Sequence, residues 1–329
     1  MRVFLTHNPE DLAAYYGRAL PELEAIAEVV RNPLDRDLTT DELLQYAAHC
    51  EVIVAHRATP GEAALFAGHP GLLAFLRCAV DISTIDLPAA SANGVLVARA
   101  DASYVASTAE LALGLYLDLS RGIAESAADY WRGAAPPQRP GRQVHGQTAA
   151  IIGLGLIGTH LAELLVALGL RVLACDPAPV DAPVGVVLGE LTEVVAAADV
   201  VFPLAPATDA TRHLVDAALL AGIKDGALLV NVSRGELLDE AAVADALDRG
   251  RLGGLAMDVG MAPDQRPSPE LAGRPGVVAT PHLGGLTPEN ADAQARSSVE
   301  QVSAMLAGEL PPRSVNPDAA TRLQAKWSR

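Results

Sequence analysis

Aromatic residues make up only 4% of this 329-residue chain, and cysteine occurs three times, at Cys50, Cys78 and Cys175. Cysteines so few, odd in number and without C-x-x-C spacing exclude a disulfide scaffold. They read as reduced thiols and set the expectation of a cytoplasmic protein. Positive charge is short as well: 24 Lys and Arg against 40 Asp and Glu leave a formal net charge of -16. Phosphate-rich partners would meet repulsion overall, so neither nucleic acid nor an anionic membrane surface is expected. No charge-free apolar run is long enough to span a bilayer, and the apolar stretch in the opening MRVFLTHNPE is too short for a signal peptide. The eight histidines form no His-x-x-x-His and no His/Cys cluster, so no metal site is expected. His7, His49, His69, His145, His160 and His213 read as surface or loop residues.

What is present is apolar and small: 50% of residues are hydrophobic and 19% charged, enough to bury large cores. The length suits two domains of ordinary size. Short apolar runs at Val3–Thr6, Val52–Ala55, Leu72–Arg77 and Val95–Ala98 alternate with Ala- and Leu-rich helical stretches, the pattern of a parallel sheet. One long helix is predicted from about Tyr104 to Trp131, with Tyr130 and Trp131 as packing residues, before a Pro/Gly-rich loop ending at Gly141. A second series begins at Thr148–Ile152 and continues through Arg171–Cys175, Val200–Pro203, Ala227–Val232, Leu255–Val259 and Val277–Ala279. About six strands with helices between them match a doubly wound nucleotide-binding sheet. Thr287–Gly308 reads as a helix and the tail after Pro311 as irregular.

Where the first strand of that second series ends, the chain reads Ile151-Ile152-Gly153-Leu154-Gly155-Leu156-Ile157-Gly158. Gly153 permits a tight turn, Gly155 a close backbone approach to a pyrophosphate, and Gly158 close helix-on-strand packing. The helix opening at Leu156 and Ile157 offers free N–H groups to phosphate. The next strand ends on Asp176, placed to accept from ribose hydroxyls. The following Pro-Ala-Pro-Val offers no cation for a 2′-phosphate, so NAD is expected as cofactor.

Three further segments close apolar strands on the edge where doubly wound sheets bind ligands: Asn231-Val232-Ser233-Arg234-Gly235, Met257-Asp258-Val259-Gly260 and Thr280-Pro281-His282-Leu283-Gly284-Gly285. An Arg there can fork onto a carboxylate, and a His can meet a hydroxyl proton as acid or base. In this order, together with Pro206–Thr211, the segments resemble the D-isomer-specific 2-hydroxyacid dehydrogenase family.

The resemblance implies an α/β protein of two doubly wound parallel-sheet domains. A Rossmann coenzyme domain, 99–287, is inserted into a smaller flavodoxin-like substrate domain, 1–98 plus 288–329. It implies homodimers acting on a small 2-keto or 2-hydroxy acid. Arg234 would bind the substrate carboxylate and carbonyl, and His282 would donate or accept the proton. Asp258 would hold the nicotinamide carboxamide, Thr108 would face the nicotinamide, and Pro206, Thr211, Val232 and Gly285 would line the cofactor. The Ala79-Val80-Asp81 backbone would cradle the substrate carboxylate, and His56 stands where some relatives carry a substrate-binding Arg.

Two departures from the family stand out. Relatives carry a Glu shortly after the Asp-Val pair that partners the catalytic His; here Pro263 fills that slot, and Asp264, one step later, is expected to take its place. The carboxylate loop, glycine-rich in relatives, here carries Asp81, a negative charge beside an expected anion. Two other readings are a non-catalytic NAD-sensing, corepressor-like module and a formate- or phosphite-type dehydrogenase on the same scaffold.

Overall fold

The structure is a computed structural model describing residues 1–178 and 181–328. Pro179 and Val180, part of the segment read above as lacking a cation, lie outside the described residues. The chain divides into two compact units, Met1–Ser103 with Pro288–Arg329, and Tyr104–Thr287.

The first unit is a five-stranded sheet: β1 (Arg2–Leu5), β2 (Glu28–Arg31), β3 (Val52–Ala55), β4 (Ala74–Arg77) and β5 (Leu96–Arg99). The strand order is β2-β1-β3-β4-β5 and all pairings are parallel. This is the flavodoxin-like doubly wound order. Strand alternation divides the apolar residues between two layers. Val3, Leu5, Val52 and Val54 face a core completed by Ala295, Val302 and Met305 of the helix Pro288–Leu306. Phe4, Ile53, Phe75 and Val97 face the other, with Leu43 and Phe66.

The second unit has seven parallel strands: β6 (Thr148–Ile152), β7 (Arg171–Cys175), β8 (Val186–Leu188), β9 (Val200–Pro203), β10 (Ala227–Asn231), β11 (Leu252–Met257) and β12 (Val277–Ala279). Their order is β12-β11-β10-β9-β6-β7-β8. The order reverses at the β6/β9 pair, which is where such sheets open a ligand crevice at their carboxyl ends. Ala149 and Ile151 pack into one core with the helices Val105–Arg121 and Leu156–Ala167, and Ala150 and Ile152 into the other.

Several expectations need correction. The half-exposed edge strands Glu28–Arg31 and Val186–Leu188 carry too few buried residues to stand out by pattern. The long helix breaks at Gly122, which takes φ +62, and beyond it Tyr130 and Trp131 are 67% and 84% exposed instead of packed. The tail is not irregular throughout: Thr321–Trp327 is a helix anchored by fully buried Leu323. His7 and His69 are buried at 1% and 2% exposure, not surface residues. Among the described residues no helix is long and apolar enough to cross a membrane.

Candidate active site

At the end of β6 the glycine turn is fixed by contacts that only glycine permits. Gly153 has φ +103, and a Cβ there would sit 2.9 Å from main-chain atoms of Leu204 and Ala205. At Gly158 a Cβ would meet the Gly153 carbonyl oxygen at 2.1 Å, so this glycine sets how closely the helix packs on the turn. Gly155, by contrast, faces open space. Beyond it, among the described residues, nothing accepts from the main-chain N–H of Leu156 or Ile157. The Asp176 carboxylate accepts from Leu154 N at 2.8 Å and Ala178 N at 2.9 Å, tying the end of β7 to the turn. A groove of about 460 Å³ lined by Val105, Leu154, Gly155, Leu156, Thr159 and His160 opens beside the helix start. Open space at the middle glycine, free N–H donors and a carboxylate one strand away fit a dinucleotide. A larger groove of about 570 Å³ contains none of these residues, and its Arg274 is already paired with Asp248.

Pro206 is exposed, and its carbonyl accepts from the Thr211 hydroxyl at 2.6 Å, closing Pro206–Thr211 on itself. The loop after β10 hangs on Asn231, which is fully buried. Asn231 Nδ2 donates to the Arg234 carbonyl at 2.8 Å, and its Oδ1 accepts from Ser233 N at 3.1 Å. Ser233 also reaches the Ala205 carbonyl at 2.9 Å, and Val232 is 5% exposed. Gly235 lies against Gly260, where a Cβ would come within 2.3 Å of the Gly260 carbonyl carbon. The Arg234 backbone is thereby held, while its side chain is exposed. The guanidinium donates to its neighbour's carbonyl at Ser233, 2.8 Å away.

Asp258, 1% exposed, organises the loop that carries His282. Its carboxylate accepts from the Thr280 hydroxyl at 2.6 Å, Leu283 N at 2.7 Å and Gly284 N at 2.8 Å. Its main-chain carbonyl accepts from His282 N at 2.9 Å. Thr108 is 5% exposed and meets the same loop: a Cβ on Gly284 would lie 3.2 Å from both Thr108 Oγ1 and Asp258 Oδ2. Ser107 donates to the Gly284 carbonyl at 2.8 Å, and Gly285 continues the loop half-buried. Thus Thr108, Asp258, His282 and Gly285 share one neighbourhood. Asn231, Thr280 and Gly284 are residues to which sequence reading assigned no role, although their segments were singled out.

His282 sits at φ +63, an uncommon conformation for a residue with a side chain, held by that anchoring. Its Nδ1 lies 2.8 Å from the main-chain carbonyl of Asp264. The expectation that the Asp264 carboxylate takes this role is corrected by the geometry. Asp264 itself turns through φ +59, which presents its carbonyl to His282, while its 73%-exposed carboxylate faces Arg266 at 3.9 Å. A carbonyl can only accept, so Nδ1 carries the proton and Nε2 is left for chemistry.

In the first unit, Ala79, Val80 and Asp81 follow β4. Ala79 and Val80 are half-buried, and the exposed Asp81 turns its carboxylate onto Ser83 N at 2.9 Å and the Ser83 hydroxyl at 3.0 Å. His56 follows β3, its N–H donating to Thr6 Oγ1 at 2.9 Å. Arg77, 1% exposed, donates to the carbonyls of His56, Arg57 and Thr59 and to the Thr84 hydroxyl, and so holds the loop after β3. Burial lowers its guanidinium to about 10. His7 and His56 lie edge to face with ring centroids 5.2 Å apart. Burial, and next the neighbouring His56, push His7 down to about 3.

Residues 113–284 match the family described as D-isomer specific 2-hydroxyacid dehydrogenase, NAD binding domain. The chain is similar to a D-3-phosphoglycerate dehydrogenase of Mycobacterium leprae, with 36% identity over 286 residues, covering 84% of this chain and 53% of that protein. It is also similar to a hydroxypyruvate reductase of Thermotoga maritima, at 30% identity over 268 residues, covering 80% and 87% respectively. A solved structure of a Thermus thermophilus protein superposes with TM-score 0.82 at 30% identity, covering 96% of this chain and all of that one. The chain spans about half the length of the D-3-phosphoglycerate dehydrogenase from Mycobacterium leprae.

Proposed function

The chain belongs to the D-isomer specific 2-hydroxyacid dehydrogenase family, and on that premise we propose that it interconverts a small 2-keto acid and its D-2-hydroxy acid with NAD. The observation that carries the reading is the His282 contact. With Nδ1 committed to the Asp264 carbonyl, Nε2 is the atom that gives or takes the substrate proton. Bound NADH would supply the hydride to the keto carbon, with the open face of Gly155, the free N–H groups of Leu156 and Ile157, and Asp176 holding its diphosphate and ribose. Thr108, Pro206, Thr211, Val232, Asp258 and Gly285 are assigned to the cofactor's remaining surface.

Arg234 forks onto the substrate carboxylate and steadies the carbonyl oxygen as negative charge builds on it. His282 Nε2 then delivers the proton to that oxygen. Ala79, Val80, Asp81 and His56 are assigned to the substrate carboxylate and side chain. Because Asp81 is already turned onto Ser83, the loop's main-chain N–H groups, not that side chain, would meet the anion. We also assign Asp264 a positioning role through its carbonyl. The protein is proposed to work as a cytoplasmic homodimer, a reading supported by family membership and by three unpaired cysteines.

The test is a panel of small 2-keto acids, glyoxylate, hydroxypyruvate and pyruvate among them, with NADH and NADPH. Turnover is expected with NADH. Arg234→Ala should lower kcat/KM by about 100-fold or more, and His282→Gln should act chiefly on kcat. NADH binding without turnover of any acid on the panel would overturn the catalytic reading.

A further inference from the structure

We infer that the first unit carries a divalent-metal site of its own, formed by the carboxylates of Asp11 and Asp37 and by Nδ1 of His56. The order β2-β1-β3 sets the loops after these three strands side by side on the carboxyl edge of the sheet. Asp37 comes from the loop after β2, Asp11 from the short helix Pro9–Asp11 after β1, and His56 directly follows β3. Ligands drawn from three separate segments leave no short spacing in the sequence, which is why a search for neighbouring histidines does not find them.

His56 Nδ1 lies 3.5 Å from Asp11 Oδ2 and 3.9 Å from Asp37 Oδ1, and one donor atom from each residue falls within 4.8 Å of the other two. A charge-assisted hydrogen bond would draw such atoms to about 2.7–2.9 Å. A tetrahedral ion with bonds of about 2.0–2.2 Å holds its ligand atoms roughly 3.3–3.6 Å apart. The observed spacings are closer to the second arrangement. His56 Nδ1 and Asp11 Oδ2 are both buried and make no hydrogen bond. His7, 1% exposed and packed edge to face on His56, also has a buried, unpartnered Nδ1.

The backbone of two ligands is fixed before any ion arrives. Asp11 N donates to Asn8 Oδ1 at 2.9 Å, and His56 is held through its N–H by Thr6 and through its carbonyl by Arg77. Such outer contacts orient ligands in built metal sites. The two carboxylates act on His56 more strongly than the two nearby cations, Arg57 and Arg77. The 53% exposure of the Asp37 side chain leaves an entry path and room for a water ligand. One imidazole with two carboxylates suits Zn²⁺ or Co²⁺ better than Ca²⁺, which takes six to eight oxygens.

The experiment uses the full chain, stripped with chelator and dialysed. It is titrated with Zn²⁺ by calorimetry and with Co²⁺ by visible absorption, while the histidine ring protons are followed by NMR. One saturable Zn²⁺ per chain is expected, with shifts at His56 and a tetrahedral Co²⁺ spectrum. Asp37→Asn, at an exposed carboxylate that leaves the fold intact, should weaken binding about tenfold or more, and His56→Gln should remove the Co²⁺ band. Absence of saturable binding would overturn the inference, since His56 is then simply an imidazole beside two acids. Binding unchanged in both variants would overturn it equally, because the ion then sits elsewhere.

Discussion

Replacing Asp258 by Asn changes one atom in a buried carboxylate and should cripple the loop that carries His282. The carboxylate takes three donors, from Thr280, Leu283 and Gly284, all within 2.8 Å. An amide can keep its oxygen toward only one side. If its NH₂ replaces Oδ2, it faces the N–H of Gly284; if it replaces Oδ1, it faces the N–H of Leu283. Either way one charge-assisted hydrogen bond is lost and a buried N–H is stranded. The first costs roughly 1.5–3 kcal/mol and the second roughly 1–3, so the native loop loses about 2.5–6 kcal/mol. The same anchoring keeps His282 at φ +63, so the loss falls on the conformation that aims Nε2. At about 1.4 kcal/mol per factor of ten, kcat should fall roughly 60-fold or more. Initial rates with NADH and a keto acid measure this, and NADH titration by fluorescence separates two roles. A loop organiser loses kcat with little change in NADH affinity, whereas a direct clamp on the carboxamide loses affinity first. A variant with wild-type kcat and wild-type melting temperature would refute the account of Asp258 as the loop's anchor.

Asp264→Asn should leave the rate and its pH profile within about threefold of wild type, because His282 bonds the main-chain carbonyl and not the carboxylate; an acid limb that moves in the variant's pH–rate profile restores a side-chain role. Gly153→Ala must place a Cβ 2.9 Å from the Leu204 and Ala205 main chain at a φ of +103, and should destabilise the fold by roughly 2–4 kcal/mol in urea melts, with NADH binding weakened further. Burial pushes the Cys78 thiol up to about 12. An unfolded thiol releases its proton near 8.5 while the folded one keeps it, so the unfolded state binds fewer protons in that window. Stability is then intact below about 8.5 and falls as pH rises toward 12, by at most about 1.4 kcal/mol per pH unit; Cys78→Ala should flatten the alkaline limb of a stability–pH curve.

The elements read well from the sequence are those whose cause is local. Gly158 is dictated by its contact with Gly153 five residues earlier, and Gly153 by the positive φ of the turn itself, to which Leu204 and Ala205 only add. The runs 148–152, 171–175 and 277–279 are strands because each is apolar and bounded by turn residues. The edge strands at Glu28 and Val186 escape notice because an edge buries little, so their sequence carries little pattern. His7 and Asn231 look like ordinary loop residues until the sheet brings partners from distant segments around them. The helix end at Gly122 and the exposed Trp131 follow from one left-handed glycine within an otherwise unbroken Ala/Leu pattern.

The Asp264 outcome shows why residue-type matching has a limit at this site. Correspondence of side chains asks which residue offers a carboxylate to His282, and the nearest answer is one step out of register. The turn answers differently: Pro263 fixes φ at the slot itself, and Asp264 and Gln265 both take positive φ, at +59 and +56. Two successive left-handed residues reverse the chain so that a peptide carbonyl occupies the space where a side-chain oxygen was sought. Main-chain acceptors are invisible to any comparison of residue identities, because every residue has one. The orientation of His282 therefore depends on the conformation of 263–265 more than on its composition. Substitutions that disturb these positive φ values, such as a β-branched residue at 264, should harm turnover more than removal of the Asp264 charge. Kinetics of Asp264→Val beside Asp264→Asn would decide it: equal rates in the two variants mean that the turn does not position the histidine.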